Sequence, residues 1–315
     1  MITTLAGGVG AARFLAGLVQ VVPAHDVTAI GNVADDMVLH GLRISPDLDT
    51  VTYTLAGAIN PETGWGLVGE TWAAMESLGR YGGQTWFNLG DRDLATHLYR
   101  TQRIAEGVTL AEVTGEITRA WGLELRLLPV TEDALRTRIH VAGEGEIGFQ
   151  EYFVGRRHSV PVEAVRVAGA ETSVPAAGVL EAIEDAELVV IAPSNPLVSI
   201  GPLLAVPGVR DAIVAARERC VAISPIVGGA ALKGPADRML RELGHEASVV
   251  GVARLYAPLA ATLVVDEADA ALADAVEAEG VRCVVTETVM GTPERAANLA
   301  RATLAAGGLA LGGAR

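Results

Sequence analysis

The sequence is poor in cysteine and has no run of residues typical of a membrane protein or a secreted one. Its two cysteines, Cys220 and Cys283, lie in apolar, strand-like runs, which favours buried thiols and excludes a disulfide framework. No apolar run reaches the ~18 residues of a membrane-spanning helix. A signal peptide would have a basic residue before its apolar run, and this N-terminus has none. We therefore expect a cytoplasmic protein with no membrane partner.

Basic residues are scarce relative to acidic ones. The formal net charge is −14, and lysine and arginine form no stripe along the chain. Nucleic acid is therefore not expected as a partner. An anionic ligand would need local cations or a metal ion. The chain has 315 residues, half of them hydrophobic, which is enough for about two domains.

The first twenty residues carry the strongest local pattern. Met1–Ala6 is a short apolar run, and a loop with Gly7, Gly8 and Gly10 follows at once. Residues 11–22 then place apolar side chains at helical spacing. Strand, glycine loop and helix open a mononucleotide-binding unit, in which loop glycines and the first helical amides approach a phosphate. Arg13, in the first turn of the helix, can add a fork of donors.

The glycine loop is a poor nicotinamide fingerprint. Arg13 stands where a third small residue belongs, and the second strand, Val27–Ile30, ends in Gly31 and Asn32 without a ribose-binding acid. No Gly-Lys-Ser/Thr follows, so the loop is not a Walker loop. A nicotinamide-dependent oxidoreductase is thus disfavoured. A nucleotide-binding module without catalytic activity is the other alternative, and spare carboxylates in the later loops argue against it.

Alternating strand and helix patterns predict an α/β fold. Continuous apolar strands alternate with helices over 1–60 and 175–305, which is typical of a doubly wound, Rossmann-like parallel sheet. Residues 60–170 interrupt that alternation, first with helices and then with strands of period two, beginning at 124–130. We predict a nucleotide-binding core of 1–60 and 175–305, an inserted α+β subdomain of 60–170, and a frayed tail over 307–315.

The loops after the core strands carry most of the candidate site residues, because ligands bind at the carboxyl edge of such a sheet. Ser45–Thr50 brings Asp47 and Asp49 to a helix start, where they suit Mg²⁺ binding, proton transfer or helix capping. Arg92 begins another helix and can either clamp a phosphate or lie at the surface. The remaining candidates for nucleotide binding are Asn32, Ser194, Asn195, Gly228 and Lys233, which is the only lysine.

Five segments, taken together, resemble one family. In order, they are LAGGVGAARFLAGL, SPDLDTVTYTLAG, LGDRDLATHLYR, IAPSNPLVSIGPLL and SPIVGGAALKGPA. In this order and spacing they are similar to the CofD/FbiA family, the 2-phospho-L-lactate or phosphoenolpyruvate transferases of coenzyme F-420 biosynthesis. The resemblance spans residue 1 to about residue 290. Val9 stands where some members have Thr, which removes a hydroxyl but leaves the backbone amides.

The resemblance implies a reaction and a cofactor. A guanylyl diphosphate carrying lactate or enolpyruvate donates its phospho-acid to the terminal ribityl hydroxyl of the deazaflavin Fo, GMP leaves, and Mg²⁺ is required. The glycine loop with Arg13 would hold the diphosphate, and Asp47 and Asp49 the metal or the ribityl hydroxyls. Arg92 would stabilise the transferring phosphoryl group. Ser194, Asn195 and the loop 225–234, which includes Gly228 and Lys233, would hold the guanosine.

The resemblance also implies a homodimer. All four tryptophans lie in the predicted insertion, which suits either an aromatic interface or local core; they are Trp65, Trp72, Trp86 and Trp121. The residues do not distinguish enolpyruvate from lactate, because the two acids differ only by unsaturation. Heavy use of alanine, glycine and arginine suggests a GC-rich, bacterial source, and on that ground we expect enolpyruvate.

We predict that GDP, but not NADH, protects the chain against thermal unfolding. The glycine loop suits a phosphate, whereas the end of the second strand lacks the acid that a nicotinamide dinucleotide requires. At a GDP concentration 100-fold above its dissociation constant, the stabilisation should be about 2.7 kcal/mol. Differential scanning fluorimetry measures both shifts, and an equal shift with NADH would contradict the prediction.

Overall fold

One sheet of seven parallel strands runs through the molecule in a computed structural model that describes residues 1–309. The strands in chain order are β1 (Ile2–Ala6), β2 (Val27–Gly31), β3 (Met37–Leu39), β4 (Leu42–Ile44), β5 (Arg126–Pro129), β6 (Arg136–Val141), β7 (Gly145–Gly148), β8 (Val162–Ala168), β9 (Leu188–Ile191), β10 (Cys220–Ile223), β11 (Ile226–Val227), β12 (Ala230–Ala231), β13 (Thr262–Asp266) and β14 (Arg282–Thr286). The predicted tail lies, from residue 310 onward, outside the described residues.

Helices cover the sheet and build half of the insertion. In chain order they are α1 (Gly8–Leu18), α2 (Pro46–Leu55), α3 (Ala73–Arg80), α4 (Asp93–Ala105), α5 (Leu110–Ala120), α6 (Val179–Glu184), α7 (Gly201–Ala205), α8 (Val209–Ala215), α9 (Ala236–Glu242), α10 (Val249–Tyr256), α11 (Ala273–Ala278) and α12 (Pro293–Ala306). Thr109 and Glu112 form the reciprocal capping box that starts α5.

The central sheet has the strand order β14-β13-β10-β9-β1-β2-β5, with every neighbouring pair parallel. Strands β1, β2, β9, β10 and β13 are buried along their whole length, as expected of a sheet covered on both faces. The predicted α/β fold, with 1–60 and 175–305 sharing one doubly wound sheet, is confirmed. The division into two domains stays a prediction.

The placement of 124–130 in the β-rich insertion is wrong. Strand β5 pairs in parallel with β2, with Leu128 opposite Ile30, and forms the edge of the central sheet. Its RLLP sequence begins with an exposed arginine, unlike the fully buried strands at the middle of the sheet. Pro129 fits this place, because an edge strand tolerates a residue without an N–H at its end. Residues 32–125 therefore form the crossover between two adjacent core strands.

The second half of the insertion is a separate antiparallel sheet with the order β7-β6-β8. Strand β6 buries every second residue, including Ile139 and Val141, which pack against Tyr152, Val162 and Met239. This period-two burial is the pattern that predicted strands here. The alternation of apolar and polar residues over 146–154 predicts one strand, but β7 ends at Gly148 and the chain turns into a short π-helix, Glu151–Gly155.

Both cysteines are free thiols, with Cys220 buried and Cys283 half-buried. Within residues 1–309, no single helix is long and apolar enough to cross a membrane. Residues 196–205 and 209–215, bent by 98°, pass that test of length and composition only when taken together.

We predict that Gly17→Ala destabilises the fold, although alanine is the better helix former. Gly17 lies where α1 crosses α12, and a Cβ there would come within 2.3 Å of the backbone of Ala296. Overpacking of this kind costs about 1–3 kcal/mol. The matched control is Gly115→Ala in α5, whose Cβ would meet only the flexible end of Arg119, at 3.3 Å. That change should stabilise the chain by about 0.5–1 kcal/mol, as urea unfolding would show. Equal effects would contradict the packing argument.

Candidate functional site

The glycine loop lies between β1 and α1, against the loop that follows β9. A Cβ on Gly10 would lie 2.1 Å from the carbonyl oxygen of Pro193, and one on Gly7 would lie 2.8 Å from Cβ of Ser199. The hydroxyl of Ser194 donates to the carbonyl oxygen of Gly7 at 2.7 Å. Glycine is therefore required at these positions by close approach of two chain segments. The predicted residues Gly7, Gly10 and Ser194 are brought together.

Asp47 lies directly against this loop. Helix α2 begins at Pro46, a favoured first helical residue, so Asp47 is in its first turn and Ser45 is the residue before the helix. The Asp47 carboxylate accepts a hydrogen bond from the backbone N–H of Gly8, and its Oδ2 accepts one from Nδ2 of Asn32 at 3.0 Å. Three predicted residues from three separate loops thus meet at one carboxylate.

Asn32 holds two carboxylates with one amide group. Its Nδ2 donates to Oδ2 of Asp47 and, at 3.1 Å, to Oδ2 of Asp35. Its Oδ1 accepts from the backbone N–H of Ala34 at 2.9 Å, which fixes the orientation of the amide. Asp36 lies beside them and accepts a hydrogen bond from the hydroxyl of Ser45 at 2.7 Å. Asp35, Asp36 and Asp47 therefore form one acidic cluster at the carboxyl ends of β1 and β2.

The acidic cluster carries more negative charge than its surroundings can stabilise. Burial raises the pKa of Asp36 to about 8 and that of Asp47 to about 6. Burial, with the charge of Asp47 added, raises the pKa of Asp35 well above its usual range. Among residues 1–309, Oδ1 of Asp35 and Oδ1 of Asp36 have no hydrogen-bond partner. Carboxylate oxygens without partners are the ligands that a hard divalent cation such as Mg²⁺ prefers, so Asp35 and Asp36 each offer one such oxygen to the predicted metal.

Asp49 belongs to a different set of contacts. Two residues apart on a helix, Asp47 and Asp49 point in widely different directions. Both oxygens of Asp49 accept hydrogen bonds from the guanidinium of Arg100, with NH1 at 3.1 Å from Oδ2 and NH2 bonded to Oδ1. His97 lies between Asp49 and Asp93, with ring nitrogens at 3.7 Å and 3.3 Å from the two carboxylates. Asp47 and Asp49 are therefore not a single pair of adjacent ligands.

One oxygen or nitrogen each from Asp49, Asp93 and His97 lie within 4.8 Å of one another, as metal ligands would. The guanidinium of Arg100 already contacts this group, since its NH1 is 3.1 Å from Asp49 and 3.4 Å from Nδ1 of His97. A buried, permanently charged guanidinium disfavours a second cation at the same point. We therefore assign the cationic role in this group to Arg100.

Arg92 lies at the start of α4, in the helical half of the insertion. It is exposed, its NH1 donates to the carbonyl oxygen of Val68 at 2.6 Å, and its backbone N–H donates to Oε2 of Glu70 at 2.8 Å. It borders a groove of about 420 Å³, whose other lining includes Thr96 and Trp121. These contacts are all within the insertion, so a role for Arg92 at the phosphoryl group stays a prediction.

The remaining candidates have local partners. Oδ1 of Asn195 accepts from the backbone N–H of Leu197 at 2.9 Å and caps the following turn. Gly228, at a φ of +57°, donates its N–H to Asp269 at 2.9 Å. Lys233 is exposed, and a Cβ built on Gly64 would lie 3.0 Å from its Nζ. Arg13 is half-buried and forms no salt bridge with any residue of the described chain.

Sequence reasoning missed four residues of this region. Asp35 and Asp36 follow the end of β2, so their position at the sheet edge was a usable signal. His97 and Arg100 lie one turn apart on α4, and nothing local marks them. Their importance appears only when α4 packs against α2, since Arg100 is 51 residues from Asp49 along the chain.

Comparisons with known proteins identify the family to which this chain is similar. A family model described as 2-phospho-L-lactate transferase CofD matches residues 2–300. A phosphoenolpyruvate transferase of Streptomyces griseus is 48% identical over 308 residues, covering 96% of this chain and 97% of that one. The phosphoenolpyruvate transferase of Mycolicibacterium smegmatis is 41% identical over 325 residues, covering 98% and 99%.

A solved structure of a Bacillus halodurans protein of the UPF0052 family has the same fold. It superposes with a TM-score of 0.62 at 17% identity, covering 96% of this chain and 98% of that one. At this identity the likeness shows the fold alone.

We predict that the metal-free chain becomes less stable as pH rises from about 4 to about 8. Unfolded aspartates titrate near pH 4, whereas Asp47 and Asp36 titrate near 6 and 8 in the fold. The folded chain thus holds more protons than the unfolded chain in this interval, and its free energy of unfolding falls as they leave. Urea unfolding in EDTA at several pH values measures the decline, and Asp36→Asn should flatten it between pH 6 and 8. Equal slopes for the wild type and this variant would contradict the assignment.

Proposed function

Because the chain belongs to the CofD family of transferases, we propose that it moves a phospho-acid from a guanylyl diphosphate donor to the terminal ribityl hydroxyl of the deazaflavin Fo, releasing GMP. One observation carries the proposal. Asp47 lies against Gly8, at the start of α1, and shares the amide of Asn32 with Asp35. A phosphate-binding loop and a cation-binding group of carboxylates therefore share one edge of the sheet.

The glycine loop is the proposed seat of the donor diphosphate. Gly7 is extended, with a φ of −153°, and α1 begins at Gly8, so the first free amides of the helix lie at the loop. These amides and the helix dipole favour an anion. Ser194 holds the carbonyl oxygen of Gly7, which keeps that acceptor bonded within the protein. Arg13 supplies the nearest cation on the same helix.

The acidic cluster is the proposed site of Mg²⁺. Asp35, Asp36 and Asp47 would hold it, and Asn32 fixes two of these carboxylates from behind. When bound, the ion supplies charge neutralisation for the donor diphosphate. Burial raises the pKa of all three groups, and the charges of neighbouring carboxylates add to the rise for Asp35 and Asp36. This reassigns the metal from the predicted pair Asp47 and Asp49 to Asp47 with its neighbours after β2.

The transfer step requires few protein groups. The oxygen of the ribityl hydroxyl forms a bond to the phosphorus that bears the acid, and the bond from that phosphorus to the GMP oxygen breaks. The hydroxyl proton passes to a carboxylate, and GMP leaves with the electron pair. Both oxygens of Asp49 already accept a hydrogen bond from Arg100, so we do not assign this proton to Asp49. We propose that Asp49 instead accepts a hydrogen bond from a ribityl hydroxyl.

We propose enolpyruvate rather than lactate as the acid. The relatives quoted above are phosphoenolpyruvate transferases, at identities of 41% and 48% over nearly the whole chain. Incubation with Fo and each donor, followed by mass spectrometry, distinguishes the products by two hydrogens. A product from the lactyl donor alone would overturn this choice, and no product from either donor would overturn the transfer itself.

The proposal includes the homodimer expected from the family. Trp65 and Trp86 are 45% and 39% exposed, which leaves two of the four tryptophans available to a second copy. Trp121 packs edge-to-face against Tyr53 at 5.7 Å and belongs to the local core. A monomer by light scattering at micromolar concentration would overturn this part. Placement in the cytoplasm likewise stays a prediction.

We predict that Asp47→Asn lowers the rate of GMP release by about 100-fold or more and weakens the dependence on Mg²⁺. Asparagine keeps the size of the side chain and removes the charge that a metal ligand needs. High Mg²⁺ should restore part of the rate.

The matched control is Asp237→Asn. Asp237 lies in the first turn of α9, as Asp47 does in α2, and pairs there with Arg241. Both substitutions remove one charge from the first turn of a helix, but only Asp47→Asn removes a carboxylate of the proposed metal site. Equal rates in the two variants would place the metal elsewhere.

A further inference from the structure

We infer that Arg100 is a positioning residue of the transfer reaction, acting through Asp49. The inference rests on the proposed function, and it concerns the acceptor side of the site. Arg100 lies on α4 in the insertion, whereas the donor loop and the acidic cluster belong to the core. Arg100 would therefore make a residue of the insertion necessary for chemistry at the edge of the core sheet.

Arg100 is the largest fully buried side chain among the described residues, at 2% exposure. Its two terminal nitrogens bond to the two oxygens of Asp49, which is the forked geometry that fixes the plane of a carboxylate. A carboxylate offers about four lone-pair positions, and this fork takes two. The Asp49 side chain is 8% exposed, and the fork leaves about two lone-pair positions of its carboxylate unused.

Stability alone explains this pair poorly. Removing two charges from water is costly, and a buried ion pair is often no more stable than apolar residues of similar size. The guanidinium also leaves Nε without a hydrogen-bond partner in the described chain, so the pair is not fully satisfied. A buried, incompletely bonded ion pair points to a role in holding a functional group in place.

The surrounding contacts fix helix α4 to helix α2 at several points. The hydroxyl of Tyr53, one turn after Asp49, donates to Asp93 at 2.5 Å and accepts from the hydroxyl of Thr96 at 2.7 Å. His97 fills the space between Asp49 and Asp93. The orientation of Asp49 is thus set by a rigid pair of helices, and Arg100 provides its only charged hydrogen-bond donor within residues 1–309.

Arg100 also determines what Asp49 can bind. The guanidinium is bonded to both oxygens of Asp49, which makes a metal ion at the same oxygens unfavourable. A carboxylate without a metal is a strong acceptor for a hydroxyl. The geometry therefore assigns Asp49 to a polyhydroxylated acceptor chain such as the ribityl group, with Arg100 holding it in place.

The test measures the binding of Fo, by its fluorescence, and of GDP, by calorimetry, to Arg100→Lys and to the wild type. Lysine keeps the charge and loses the fork. We expect the affinity for Fo to fall about tenfold or more, because a charge-assisted hydrogen bond is lost. The affinity for GDP should stay within twofold, since the glycine loop is untouched. Asp49→Asn combined with Arg100→Lys should bind Fo no more weakly than Asp49→Asn alone, because Arg100 acts through Asp49.

The matched control is Arg103→Lys, on the same helix. Arg103 makes a similar fork, to Glu116, at 3.0 Å and 2.8 Å, but lies 29% exposed and away from Asp49. It should bind Fo and GDP as the wild type does. Arg100→Lys behaving like Arg103→Lys, or losing Fo and GDP affinity in equal measure, would overturn the inference.

Three further results distinguish a folding defect in the variant from a failure of the inference or of the proposed function. If Arg100→Lys does not fold, the neutral pair Asp49→Asn with Arg100→Gln leaves no unpaired buried charge. Fo binding at wild-type strength by that pair would overturn the inference. A wild type that binds Fo but releases no GMP would reject the proposed transfer, while the Fo affinities would still decide the role of Arg100. A wild type that binds no Fo would overturn both.

Discussion

The burial of acidic side chains at one edge of the sheet is the constraint around which this site is built. Asp35, Asp36 and Asp47 lie where β1 and β2 end, and burial raises the pKa of each. One amide, from Asn32, holds two of them in place without neutralising either. Such an arrangement costs folding free energy, and a cation would relieve it. Regions that a protein keeps strained in this way are often functional sites.

Asp49, unlike the acidic cluster, has its charge balanced by a neighbouring cation. Asp49 is on the same helix as Asp47, yet its carboxylate is matched by a buried guanidinium. The first turn of α2 thus presents one carboxylate lacking a cation and one already paired. This difference separates a metal ligand from a hydrogen-bond acceptor, although the two residue types are identical and two positions apart. It also couples the insertion to the core, since the guanidinium comes from α4.

The parts of the structure that could be predicted from sequence depend on local patterns. Continuous apolar strands, the glycine loop before α1 and the alternation in β6 each leave a periodic signal within ten residues. Strand β5 could not be placed, because RLLP follows the helices of the insertion and directly precedes its period-two strands, so nothing local shows that it pairs with β2. The role of Arg100 could not be predicted from the sequence, because its partner Asp49 is distant in sequence and a lone arginine on a helix usually lies at the surface.

Strand β1 has a consequence for how the chain is made. It lies at the middle of the sheet, with β2 on one side and β9 on the other, where Leu5 is opposite both Ile30 and Ile191. The first neighbour is synthesised almost at once, but the second emerges only after another 160 residues, counted from Gly31 to Ile191. At ordinary translation speeds the interval is roughly 10–30 s. During that time the β1–α1–β2 unit exposes the unpaired edge of β1, which can pair with strands of other chains. The nascent chain is therefore most vulnerable to aggregation before the ribosome reaches β9, and a chaperone that shields the first thirty residues would act in that interval.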